Sequence, residues 1–146
     1  MKDGGRISAA IEVLNDVLDR RQPIKAAMRD WGKRARYAGA RDRAWVSGLV
    51  LDALRRRNSI EHAMQAAGPR TLALGALKAA WDWDVRRIET ALKDDHAPQP
   101  LSEAERDCLL LAPDPSAAAH VQGDFPEWLT PHMARAFGDH AVIEAQ

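Results

Sequence analysis

Lys25, Arg29, Lys33 and Arg36 recur at steps of four, four and three residues. On a helix turning about 100° per residue, they span only about 80° of arc. Several mobile cations on one surface are what phosphate binding requires, because each neutralised phosphate releases condensed counterions. Arginine suits the task, since its planar fork meets phosphate oxygens two at a time. Arg34, Arg41 and Arg43 lie nearby in the chain, and Tyr37, between Arg36 and Arg41, is the aromatic best placed to meet a base. The competing readings are a solvated helix face for the stripe and a half-buried loop side chain for Tyr37.

The formal net charge of zero conceals a segregation of sign. Residues 20–57 hold twelve cations against Asp30, Asp42 and Asp52, a balance of +9, while residues 1–19 carry −2 and residues 58–146 carry −7. Such asymmetry points to a polyanionic partner, most often nucleic acid, or else to pairing with the acidic remainder inside the fold.

Other chemistry finds little support. There is no glycine-rich loop ahead of Lys-Ser or Lys-Thr, and no Gly-x-Gly turn for a dinucleotide or S-adenosylmethionine. The histidines (His62, His96, His120, His132, His140) form no i, i+4 pair with a carboxylate between them, so no metal site is expected. Cys108 is the only cysteine, which excludes intrachain disulfides and fits a reducing, cytoplasmic home. Placed ahead of Leu109-Leu110-Leu111, it reads as a structural cysteine rather than a nucleophile. Asp82 with Asp84, and Asp94 with Asp95, read as a cap and a solvated turn, and Glu103, Glu105 and Asp107 as acids favoured at a helix start. No catalytic residue and no cofactor is assigned to this chain.

The elements that must position these side chains are helical throughout. The 146 residues are 46% hydrophobic and 29% charged, the balance of one soluble globular domain, and no run approaches the roughly 20 apolar residues of a membrane helix. Ile7, Ile11, Leu14 and Leu18 predict a first helix over 6–20, after a flexible Gly4-Gly5 start. Pro23 opens a second, with Ile24, Ala27, Met28, Trp31 and Ala35 inward and Gly32 as a weak point. Tyr37-Ala38-Gly39 is the break before a third helix over about 40–57, with Trp45, Val46, Leu49, Val50, Ala53 and Leu54 inward. Asn58 to Glu61 has capping-box spacing for a fourth. Residues 71–81, charged only at Lys78, predict a buried central helix with at least one of Trp81 and Trp83 internal.

Asp84 caps the next helix, which turns Val85, Ile88, Ala91 and Leu92 inward, and His96 to Pro100 is an extended connector. Ser102 to Glu105 opens a helix through Leu111, residues 112–123 form a surface loop, Phe125 and Trp128 are anchors, and Thr130-Pro131 caps a helix closed by Gly138. The last residues begin a helical pattern without ending it, as in the front piece of a longer protein. The expected fold is all-α, a compact helical core over 1–95 followed by a Pro-rich, less regular extension over 96–146.

Arg6-x-x-Ala9-x-x-x-Val13-Leu14, then Arg41-Asp42-Arg43-Ala44, Leu49-Val50 and Leu54-Arg55-Arg56-Arg57, resemble the NusB-like helical domain. The tail Phe125-Pro126-Glu127-Trp128-Leu129 with Ala136-Phe137-Gly138-Asp139 is similar to the segment that leads into the catalytic part of the RsmB/Sun type of ribosomal RNA cytosine-C5 methyltransferases. The resemblance implies a NusB-like bundle that binds ribosomal RNA for an attached S-adenosylmethionine-dependent methyltransferase domain, whose motifs do not occur in this chain. Lys25, Arg29, Lys33, Arg34, Arg36, Tyr37, Arg41 and Arg43 are the expected RNA-binding set. The alternatives are a protein-interaction domain docking on its own catalytic domain or a ribosomal protein, and a free-standing antitermination factor. A helix-turn-helix across residues 40–67 lacks a recognisable tight turn and reading helix.

Overall fold

The burial pattern of one helix organises the others. The computed structural model of the chain describes residues 1–111, and among these it contains seven helices and no strand. They are α1 (Asp3–Leu18), α2 (Ile24–Arg34), α3 (Ala40–Arg55), α4 (Arg57–Met64), α5 (Pro69–Ala79), α6 (Val85–Ala91) and α7 (Glu103–Leu110). In α5 every residue from Thr71 to Leu77 is buried, as expected of a helix apolar on nearly all sides. It packs against α1, α3, α4 and α6, while α2 lies on α1 and α3, and α7 closes over α4 and α6. Leu109 of α7 belongs to the same continuous core as Ile7, Trp31, Leu49 and Leu74.

Close packing on α5 depends on Gly75. A Cβ there would overlap Cγ2 of the buried Ile60, so the glycine is what allows α4 to approach. Helices α3 and α4 are joined through Arg56 alone, and Ser59 Oγ donates to its carbonyl at 3.1 Å. The N-cap falls at Arg56, two residues before the expected Asn58, and Glu61 accepts from Arg57 Nε at 2.8 Å. The box at Ser102 is present, with Glu105 N–H donating to Ser102 Oγ at 3.1 Å and Ser102 N–H to Glu105 Oε1 at 2.9 Å. Asp84 caps α6 by accepting from Arg87 N–H at 2.7 Å.

The glycine pair near the start is helical rather than flexible. Gly4 is buried, and a Cβ on it would lie 2.5 Å from the Ala91 carbonyl oxygen and 2.7 Å from Ala97 Cβ. Its N–H donates to Asp94 Oδ2 at 3.0 Å, and Ser8 Oγ donates to the His96 carbonyl at 2.6 Å. The first turn of α1 is thus capped by a carboxylate from far along the chain, which satisfies donors a helix start otherwise leaves unpaired.

Trp83 is internal, and Trp45, Trp81 and Trp83 form an edge-to-face trio with centroids 4.9 to 6.5 Å apart. Trp81 Nε1 donates to Asp52 at 2.7 Å, and the Arg87 guanidinium lies 4.0 Å from the Trp83 ring centroid. Arg6 Nε donates to Asp42 at 2.9 Å, tying α1 to α3, and Gly39 N–H donates to the same carboxylate at 3.3 Å. Burial pushes the Asp42 carboxyl up, but the bonds from Arg6 and Gly39 together with the neighbouring positive charge outweigh it and hold it below its ordinary value.

A second clamp joins α5 to α7. Arg70 donates to both oxygens of Glu105, at 2.8 and 3.0 Å, and to the Pro100 carbonyl at 3.0 Å. The Arg70 bond holds the Glu105 carboxyl below its ordinary value of 4.5, against burial. A depressed folded-state carboxyl stabilises the fold above the unfolded-state value, and that contribution disappears as pH falls through the folded-state value. The thermal midpoint followed by circular dichroism is therefore expected to drop on acidification below about pH 4.5. Arg70→Ala should make that drop smaller; an unchanged acid profile would mean the clamp contributes nothing.

Of the 96–146 extension, the structure describes 96–111. The expected loop over 112–123, the Phe125 and Trp128 anchors, the Thr130-Pro131 cap and the final helical pattern lie outside the described residues.

Candidate nucleic-acid interface

Helix α2 begins beside Pro23, whose extended backbone precedes Ile24, and it is fixed to the core by Ala27, Trp31 and Ala35 at steps of four. Trp31, 2% exposed, is the large anchor among them. Because those residues face α1 and α3, the period of the helix turns Lys25, Arg29 and Lys33 to solvent, and Arg36 follows just past its end. Gly32 does not stop the helix, which continues to Arg34. Its bare backbone is instead where α3 reaches across, since a Cβ on Gly32 would meet the Arg43 guanidinium at 3.7 Å.

The result is an open groove of about 370 Å³ between α2 and the start of α3, lined by Met28, Arg29, Gly32, Lys33, Arg36 and Arg43. Four of those six residues are cations and none is an acid. Arg29, Lys33, Arg36 and Arg43 form no ion pair among the described residues, so their charge is not consumed within the described fold. Four like charges around one groove are held together against their mutual repulsion by the α2–α3 packing, and an anion in the groove relieves that repulsion.

The remaining expected residues divide. Lys25 lies one turn from Arg29 on the same exposed face of α2. Arg41 is exposed at the beginning of α3 but does not line the groove. Arg34 turns the other way, with Nη2 3.2 Å from Glu12 and 3.3 Å from the buried Asp16 of α1, which makes it a strut between helices. Tyr37 stands clear of the surface immediately after Arg36. Met28, which supplies an apolar edge, was expected inward and is half-buried. Arg43 lies over Gly32, a relation no local spacing announces.

Elsewhere the chemistry is sparse. Among the described residues no group of three or more His, Cys, Asp or Glu side chains could hold a metal ion. Cys108 is half-buried and its Sγ donates to the Met64 carbonyl at 3.4 Å. No helix among the described residues is long and apolar enough to cross a membrane. In comparisons with known proteins, no family model, curated protein or solved structure matches the chain.

Proposed function

We propose that this chain is an RNA-binding domain whose contact surface is the groove between α2 and α3, and that it serves as an accessory module of an S-adenosylmethionine-dependent ribosomal RNA cytosine-C5 methyltransferase. The observation that carries the first part is the convergence of Arg29, Lys33, Arg36 and Arg43 on one groove with no acid in its lining. Phosphates recur along a nucleic-acid strand, and the exposed stripe from Lys25 to Lys33 extends that charge about 12 Å along α2, with Arg36 just beyond its end. The second part is supported by the motif resemblance, and within it ribosomal RNA and a methyltransferase domain of the same protein are the partners.

The test is a folded variant with Arg29, Lys33 and Arg36 all changed to Glu. These side chains are exposed, so the circular dichroism spectrum and thermal midpoint should stay close to wild type. Binding to a ribosomal RNA fragment should weaken most at low salt, with the deficit narrowing as salt rises. The slope of log affinity against log salt should shrink by about 2, at roughly 0.7 for each phosphate that is no longer neutralised. Unchanged binding and slope would remove the groove from the interaction.

A further inference from the structure

The segment joining α2 to α3 combines a fixed backbone with a protruding ring. Ala35 and Ala38 are both buried. Ala35 N–H donates to the Trp31 carbonyl at 2.8 Å, and Ala38 N–H to the Ala35 carbonyl at 3.0 Å. Between these pinned points, Tyr37 is 75% exposed, more than any other large hydrophobic side chain among the described residues. Its ring makes no aromatic contact with another described residue. Three of the five tryptophans are engaged with one another and Trp31 is buried, so among the described tryptophan and tyrosine rings Tyr37 is the most exposed.

Arg36, the preceding residue, lines the basic groove. Adjacent α-carbons are about 3.8 Å apart, so a flat stacking surface and a phosphate-binding guanidinium start from neighbouring points on one held backbone. A duplex cannot use such a pair. Its bases are stacked on both faces, and in A-form RNA the major groove is too narrow for side chains to read. A strand with an unpaired base can place that base on the ring while its phosphates remain in the groove.

We propose that the groove selects unpaired RNA, with Tyr37 stacking a base whose adjoining phosphates are held by Arg36, Lys33 and Arg43. This specificity rests on the reading of the groove as the RNA surface. Sequence is not read by this contact, because every base has a face to stack; the discrimination is between open and paired strands.

The experiment compares an unpaired RNA of about 12 nucleotides with the blunt duplex of the same strand, at equal salt, using the whole chain. The wild type should bind the unpaired strand about tenfold more tightly, the effect of one stacked base. Tyr37→Ala should lose that preference while leaving duplex affinity and salt slope unchanged, and Tyr37→Phe should keep it. A fluorescent purine analogue in the strand should be quenched by the wild type and by Tyr37→Phe but not by Tyr37→Ala. Equal loss on both RNAs in Tyr37→Ala, or no loss on either, would overturn the stacking role while leaving the groove in place. Failure of the wild type to bind either RNA would overturn the groove reading and this inference with it.

Discussion

Gly75→Ala should destabilise the protein by about 2 kcal/mol, even though alanine is the better helix former by about 1 kcal/mol. The added methyl lands on Cγ2 of Ile60, which is buried against α5 and cannot retreat to solvent. Ile60 is β-branched, so its Cγ2 is held by a single stiff torsion and cannot swing aside as the end of a long side chain would. Relief requires α4 to move off α5, and α4 is tethered to α3 through Arg56 alone. The thermal midpoint should fall by several degrees, about 2–8 °C for each kcal/mol. Combining Gly75→Ala with Ile60→Ala should cost less than the two single changes added together, because the second removes the obstructing atom. Strict additivity would show that the two residues do not meet.

Trp31→Ala is the other large expected effect, about 3–5 kcal/mol, from the loss of a fully packed indole. Its consequence reaches the candidate interface. Trp31 and the small Ala27 and Ala35 are the buried residues that fix α2 and its end to the core. Without the indole the helix loses the anchor that sets Arg29 and Lys33 opposite Arg43. RNA affinity and thermal midpoint should therefore fall together in Trp31→Ala, whereas in the triple Glu variant affinity falls with the midpoint preserved. A Trp31→Ala protein that melts like wild type would contradict the packing described for α2.

Much of the architecture was readable because it rests on local periodicity. The stripes of the first three helices, the apolar cylinder of α5 and the caps at Asp84 and Ser102 each depend on residues within a few positions of one another. What escaped depends on distant partners. Gly4-Gly5 reads locally as a loose start, yet Gly4 is required by the backbone at Ala91 and the side chain of Ala97. Arg34 is one cation of a basic run in the sequence, and only the folded α1 supplies Glu12 and Asp16 to hold it. Arg43 joins the groove because α3 crosses α2 at Gly32. Arg6 and Asp42, 36 positions apart in the sequence, meet at 2.9 Å and fasten α1 to α3.

The contacts that finish the first turns of α1 come from Ala91, Asp94, His96 and Ala97. During synthesis α1 therefore emerges long before the residues that secure it. Until the Asp94 turn, 90 positions after Gly4, has left the ribosome, the first turn of α1 is uncapped and Gly4 lacks its neighbour. Completion of the bundle is thus a late, closing event in the life of the chain, and a polypeptide released before Asp94 would lack the means to seal the first turn of α1.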